Sequence, residues 1–271
     1  MQPFDAWMAA LEARHLADLR PPEVARALRA LSSAYVERRG RLASGAALDG
    51  AGKRAAFALF YGPVHYVLVS HIVRSLDATP RAGGPIVDLG CGTGVAGAAW
   101  ALAQDPPAEV LGLDRHPWAV DEARWTYRTL GLTGTARQFD ARRLTLRKRA
   151  GAVVAAFVLN ELAPDVREAL LNDLAALARG GTTVLVVEPI ARGIAPWMDA
   201  WAPACAGDGG RHDEWRFTAD LPDAVRRLES AAGLDRSELT ARSLYWPAAG
   251  ASGAGERQPP RPAAPWRRTV T

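Results

Sequence analysis

The segment Ile86-Val87-Asp88-Leu89 runs directly into Gly90-Cys91-Gly92-Thr93-Gly94, and this junction restricts the possible folds more than any other feature. The first four residues suit a short buried strand, and Val95–Ala103 after the glycines reads as a helix. Three glycines in five residues permit positive φ angles and leave no side chain to hold a ligand away. A parallel sheet places such a strand–glycine–helix junction at its ligand crevice, beyond the carboxyl ends of the strands.

The surrounding chain supplies that sheet. Pro85–Leu89, Glu109–Asp114, Ala136–Phe139, Ala152–Leu159 and Thr183–Glu188 read as strands, with helical segments at Val95–Ala103, Pro117–Leu130 and Pro164–Ala178 between them. In the last helix Pro164 suits a first-turn position, Val166, Leu170, Leu171, Leu174 and Leu177 form one apolar stripe, and Gly180-Gly181 ends it. Apolar strands alternating with helices predict an α/β fold, doubly wound and mostly parallel. Residues 4–78 read as helical throughout, with Phe4, Trp7, Met8 and Leu11, then Val24, Ala27, Leu28 and Leu31, at helical spacing. A break or kink is expected where Pro63 follows Gly62. The turn-rich Thr79–Gly84 divides an N-terminal helical annex, residues 1–80, from a main domain, residues 81–271. Leu239–Trp246 and Trp266–Val270 read as further strands, separated by an Ala/Gly/Pro-rich loop over residues 247–265.

Composition narrows the function classes. Apolar residues make up 49% and charged residues 23%, the balance of a folded, soluble chain. No uninterrupted apolar run approaches the roughly 20 residues of a membrane span, and acidic residues near the start argue against a leader; a cytoplasmic location with no membrane partner is expected. Cys91 and Cys205 stand in unlike settings, and the five histidines show no ligand spacing with them, so neither a disulfide framework nor a metal site is expected. The net charge of +4 is almost wholly arginine. It fits a polyanionic partner such as RNA, and equally a GC-rich genome, which raises Ala, Arg, Gly and Pro together.

The loop has two readings. Gly92-Thr93-Gly94-Val95-Ala96-Gly97 also satisfies the dinucleotide pattern G-x-G-x-x-G, with Asp114 at about the right distance. Asp88 weighs against it, because a carboxylate at the strand end repels a pyrophosphate but suits the cationic methionine end of S-adenosylmethionine (SAM). Ile86–Gly94 resembles the first motif of class I SAM-dependent methyltransferases, and the later segments follow in that family's order. The resemblance covers about residues 80–190 and implies a Rossmann-like methyltransferase sheet with SAM as cofactor. It implies cofactor contacts at Asp88, Gly90, Cys91, Gly92 and Gly94, ribose contacts at Asp114 and the adjoining Arg115, adenine contacts at Asp140 and Ala141, and a methyl-transfer site at Asn160 and Glu161 after strand four. Chemically, a carboxylate at Asp114 can accept from both ribose hydroxyls. Asn160 or Glu161 can orient an acceptor amine or hydroxyl, and His65 is a further candidate base.

Tyr61-Gly62-Pro63-Val64-His65-Tyr66, Leu159-Asn160-Glu161-Leu162 and Val187-Glu188-Pro189 are similar to segments of a methyltransferase-like family associated with the small ribosomal subunit. That resemblance implies RNA or the ribosomal subunit as partner. The family's iron–sulfur cysteines have one counterpart here, Cys205, which cannot supply four thiolates. Trp197, Trp201 and Trp215 read as packing or as a stacking surface for a planar substrate. The expected activity is methyl transfer from SAM, and the alternative is a non-catalytic RNA-associated binding protein.

Overall fold

A computed structural model describes residues 3–37, 48–139, 150–191, 193–234 and 237–248. Helices α1 (Pro3–His15), α2 (Pro21–Glu37), α3 (Ala51–Ala56) and α4 (Gly62–Ser75) precede the first strand. The expected break at Pro63 is instead an accommodated one. A π-helical turn, Phe57–Tyr61, joins α3 to α4, and Pro63 is the second residue of α4, directly after that turn. Ala51–Ser75 is thereby long and apolar enough to cross a membrane, but most of it is buried within the protein.

Seven strands follow: β1 (Ile86–Leu89), β2 (Val110–Asp114), β3 (Gly134–Gln138), β4 (Ala152–Ala156), β5 (Thr183–Glu188), β6 (Arg211–Phe217) and β7 (Leu239–Trp246). They form one sheet in the order β3-β2-β1-β4-β5-β7-β6, parallel except for β7, which runs antiparallel to both neighbours. This is the doubly wound, mostly parallel α/β fold expected. It departs from the dinucleotide-binding order 3-2-1-4-5-6 by the strand wedged between β5 and β6. The order reverses between β1 and β4, which puts the crevice at the end of β1, where the glycine loop begins.

Several boundaries shift from the sequence reading. β3 starts two residues earlier, at Gly134. β4 stops at Ala156 rather than Leu159, because Phe157 takes a φ of 59°, outside the extended region a strand requires. Helices α8 (Trp197–Gly207) and α9 (Asp223–Ala231) and strand β6 add to the elements anticipated. Leu239–Trp246 is a strand as read. Trp266–Val270 and most of the loop at 247–265 lie outside the described residues.

Helices α5 (Val95–Ala101) and α6 (Pro117–Thr129) cover one face of the sheet with the annex, and α7 (Pro164–Arg179) and α8 lie in the core of the other. Trp7, Leu11, Leu28, Phe60 and Ile72 of the annex are fully buried and share one apolar core with Ile86, Trp100 and Val110 of the sheet side. A polar tie adds to this packing. Glu122 of α6 is wholly buried and accepts from Arg14 Nε at 3.1 Å, with His15 Nε2 at 2.7 Å, both on the last turn of α1. On the other face the buried Arg242 of β7 pairs with Asp199 of α8.

Candidate active site

At the switch point the loop after β1 is held mostly by its own backbone. The N–H groups of Gly90 and Cys91 both donate to the Leu113 carbonyl, at 2.8 and 3.1 Å, and that of Gly94 donates to Cys91 at 2.7 Å. Gly90 has a φ of +63°, and a Cβ there would lie 2.2 Å from Val158 Cγ2, so backbone geometry and space both require glycine. The two acids flanking the loop complete the network. Asp88 Oδ2 accepts from Gly97 N at 2.8 Å, tying α5 to β1. Asp114 Oδ2 accepts from Gly92 N at 2.9 Å, and its Oδ1 accepts from His116 N at 2.8 Å.

This network weighs on the two readings of the glycines. A pyrophosphate cradle needs free N–H groups and the positive end of a helix. Here the N–H groups of Gly90, Cys91, Gly92, Gly94 and Gly97 are all engaged within the protein, and a carboxylate, Asp88, already caps α5. Asp88 is 1% exposed, and burial pushes its carboxyl up to about 7. A cation with hydroxyls to donate fits this surface far better than a diphosphate. Each Asp114 oxygen accepts one N–H and keeps a lone pair for a further donor. His116 takes the N-cap of α6, its Nδ1 accepting from Trp118 N at 3.2 Å, so Asp114 positions the cap without being it.

A cavity of about 1280 Å³ opens over this loop. Asp88, Gly90, Cys91, Gly92, Asp114, Arg115, Asn160 and Glu161 all line it, so the fold gathers residues that lie up to 73 positions apart in the chain. Gly94 does not line it; with a φ of +80° it turns the chain into α5, close against Tyr127. Asp140 and Ala141 lie outside the described residues. His65 of α4 is on the wall, stacked on Phe157 with ring centroids 4.0 Å apart and planes 17° from parallel.

Opposite the loop, the turn Leu159–Glu161 is fixed by a residue the sequence reading did not place in the site. Glu188, at the end of β5 and fully buried, accepts from Leu159 N at 2.8 Å, from Asn160 N at 3.2 Å and from Asn160 Nδ2 at 2.5 Å. Trp197 Nε1 donates to Asn160 Oδ1 at 2.9 Å, so the Asn160 amide is oriented from both ends. Burial pushes Glu188 up to about 8, although these donors pull the other way. Glu161 is also pushed up to about 7, chiefly by burial and opposed by the nearby Arg115. Glu188 stands in a segment the sequence singles out, but its role depends on a partner 28 residues earlier. Trp201 Nε1 donates to Glu168, and Trp215 Nε1 donates to Ser243 of the neighbouring strand. Cys91 and Cys205 are free and buried, and among the described residues no group of three or more His, Cys, Asp or Glu side chains is placed to hold a metal.

Comparison with known proteins places these features. A family described as methyltransferase domain matches residues 86–181, from the start of β1 to the turn before β5. A curated relative, ribosomal RNA large subunit methyltransferase G of Streptomyces coelicolor, is 53% identical over 51 residues, or 19% of this chain, and the match spans 13% of that relative's length. Among solved structures, the chain is similar to a plantazolicin methyltransferase in complex with S-adenosylhomocysteine (SAH), with a TM-score of 0.46 and 12% identity over 83% of this chain and 96% of that one. It is also similar to the Pyrococcus abyssi tRNA (uracil-54, C5)-methyltransferase, with a TM-score of 0.43 and 15% identity over 67% of this chain and 37% of that one.

Proposed function

We propose that this chain, whose residues 86–181 match a methyltransferase-domain family, is a class I SAM-dependent methyltransferase that moves a methyl group from SAM to a nucleophile in RNA. The observation that carries the cofactor part is the loop itself. The N–H groups of its glycines and of Cys91 are satisfied internally, its flanking groups are carboxylates, and Asp114 keeps acceptor capacity toward the cavity. SAM, when bound, supplies a methyl group already activated on sulfur, so the protein's share of the work is positioning and charge.

Each part of the site has a separate task in this reading. Asp114 receives the ribose hydroxyls while holding Gly92 in place. Gly90 and Gly92 keep the floor of the cavity bare. Glu188 and Trp197 lock Asn160, and with it the turn that presents Glu161 to the incoming acceptor. Glu161, with a pKa near 7, can take up a proton near neutral pH. The annex closes the acceptor side through Tyr61 of the π-helical turn and His65 of α4.

Two observations support RNA as acceptor: the arginine-based net charge of +4, and the local identity to a ribosomal RNA enzyme. The test is transfer from methyl-labelled SAM to separated RNA, protein and metabolite fractions of a cell extract, with calorimetry against SAM, SAH and NAD. Label in RNA together with SAH binding is the expected result. Binding of NAD without SAM or SAH overturns the cofactor assignment, and tight RNA binding without transfer overturns the activity.

A further inference from the structure

The sheet does not carry its charge evenly. Toward the β6 end, arginines stand beside carboxylates: Arg211 pairs with Asp213, Arg179 with Asp208 and Arg242 with Asp199. At the β3 end the balance is different. From Arg115 to Phe139 the chain holds four arginines, Arg115, Arg124, Arg128 and Arg137, and two acids, Asp121 and Glu122. Glu122 is buried and taken up by Arg14 and His15. That leaves Asp121 as the one surface carboxylate of this stretch, against four arginines that are all exposed.

Hydrogen bonds join these arginines into a strip along the end strand of the sheet. Arg124 of α6 reaches β3, donating from Nε to the Ala136 carbonyl at 2.8 Å. Arg137 is the next residue of that strand. Gln138 follows it, and its Nε2 donates to the Arg115 carbonyl at 2.9 Å. Arg128 lies one turn beyond Arg124 on the exposed side of α6, about 6 Å along the helix axis. The strip starts at the cavity, where Arg115, Gln138 and Phe139 are part of the lining, and leads away from it along the edge of the molecule.

The guanidinium groups keep donors for a ligand. Arg124 spends two of its five N–H groups, on Ala136 and on Asp121. Among the described residues no carboxylate pairs with Arg128 or Arg137. Protection of an edge strand from stray pairing accounts for one charge on β3, but not for the arginines of α6 beside it. Like charges gathered on one edge repel unless a counter-charge is supplied. A nucleic-acid backbone supplies it at regular intervals, and the planar guanidinium fork matches a phosphate bidentately.

We infer that the β3–α6 edge holds the sugar-phosphate backbone of the acceptor RNA, with Arg124, Arg128 and Arg137 each on a phosphate outside the cavity. Contacts of this kind fix where the strand lies and carry no base sequence. The inference rests on the RNA reading above and adds the path that the strand takes.

The test compares the full chain with Arg124→Gln/Arg128→Gln/Arg137→Gln, none of which lines the cavity. Binding of a short single-stranded RNA of mixed sequence is measured by fluorescence anisotropy across a range of salt, and methyl transfer is followed at increasing amounts of the RNA fraction that takes the label. The slope of log affinity against log salt is expected to fall in magnitude by about 2, at about 0.7 for each single-strand phosphate contact removed. Affinity at low salt falls at least about tenfold. KM for RNA rises by a similar factor, while kcat at saturating RNA and SAH affinity stay as in the parent chain. Arg128→Gln/Arg137→Gln keeps the Arg124–Ala136 bond and stands in should the triple variant not fold, with the slope falling by about 1.4. Arg179→Gln/Arg211→Gln, toward the other end of the sheet, removes charge elsewhere and leaves the slope unchanged. An unchanged slope in the edge variants, with label still entering RNA, overturns the inference and leaves methyl transfer to RNA intact. An equal loss in Arg179→Gln/Arg211→Gln overturns it as well, and so does self-association of the edge variants at unaltered RNA affinity, which makes the arginines guards of the end strand. Absence of label from RNA overturns the inference together with the reading beneath it.

Discussion

Replacing Asp114 by Asn separates its proposed cofactor role from its scaffold role. The carboxylate accepts two backbone N–H groups, Gly92 N on Oδ2 at 2.9 Å and His116 N on Oδ1 at 2.8 Å. An Asn side chain has one oxygen, so one of these N–H groups is left facing an NH₂ group. Hydrogen bonds to a charged group contribute roughly 1.5–3 kcal/mol each. The site is part-buried, and losing one bond while weakening the other gives a cost of about 2–3 kcal/mol. For a chain of this size that lowers Tm by about 4–12 °C. SAH affinity falls further, because the loop loosens and the ribose acceptor is weakened at the same time; the expected loss is about ten- to a hundredfold. Thermal denaturation with and without saturating SAH, combined with calorimetric titration, measures both effects. If Tm falls while SAH affinity is unchanged, Asp114 is scaffold alone and the ribose lies elsewhere. If neither changes, the hydrogen-bond reasoning fails at its root.

Other expectations are as direct. Gly90→Ala forces a Cβ to 2.2 Å from Val158 Cγ2 at a φ of +63° and should destabilise by about 2–5 kcal/mol by chemical denaturation; Val158→Gly in the same chain should recover part of the loss, and strict additivity would refute the contact. Glu188 has its pKa raised to about 8, so the native state holds a proton that the unfolded state has released above about 4.5. Stability contributed by this group is therefore present at low pH and lost as pH rises toward 8; Glu188→Gln should flatten the fall in Tm between pH 5 and about 8, and an unchanged slope would show that Glu188 does not titrate there. Glu122→Ala strands Arg14 and His15 beside a buried site, and limited proteolysis should then cut the region of α1 faster than in the parent chain, with equal rates counting against the tie.

How much of this the sequence discloses depends on where each signal is stored. The β1–glycine–α5 junction and Asp114 are local, held in a few adjacent residues, and the structure brings them together in one cavity. β4 runs too long in the sequence because Phe157-Val158-Leu159 is as apolar as the strand before it, and apolarity carries no record of a φ of 59°. β6 is an edge strand, Arg211–Phe217, whose mostly polar residues resemble a loop. α9 is amphipathic but only nine residues long, and Pro203 falls inside α8, so both are weak helix signals in the sequence. Glu188 reads as the end of a buried strand; only the folded sheet brings β5 beside β4 and turns that residue toward Asn160. The Trp197–Asn160 contact depends likewise on α8 packing across 37 residues of chain.

The place of β7 sets an order of events during synthesis. It is made after β6 yet lies between β5 and β6, so β6 emerges from the ribosome with no neighbour to pair with, and β5 waits with an open edge. Five parallel strands, β1 to β5, can assemble as soon as residue 188 is free, and with them the glycine loop, Asp114 and the Asn160–Glu188 pair. The rest of the sheet cannot follow until Leu239–Trp246 is available. For the roughly sixty residues in between, the nascent chain carries the glycine-loop cavity beside an unpaired, largely apolar strand edge, which is the hazard that chaperones relieve. Substitutions that slow the insertion of β7 should therefore lower the yield of folded protein even where they leave the stability of the finished fold untouched.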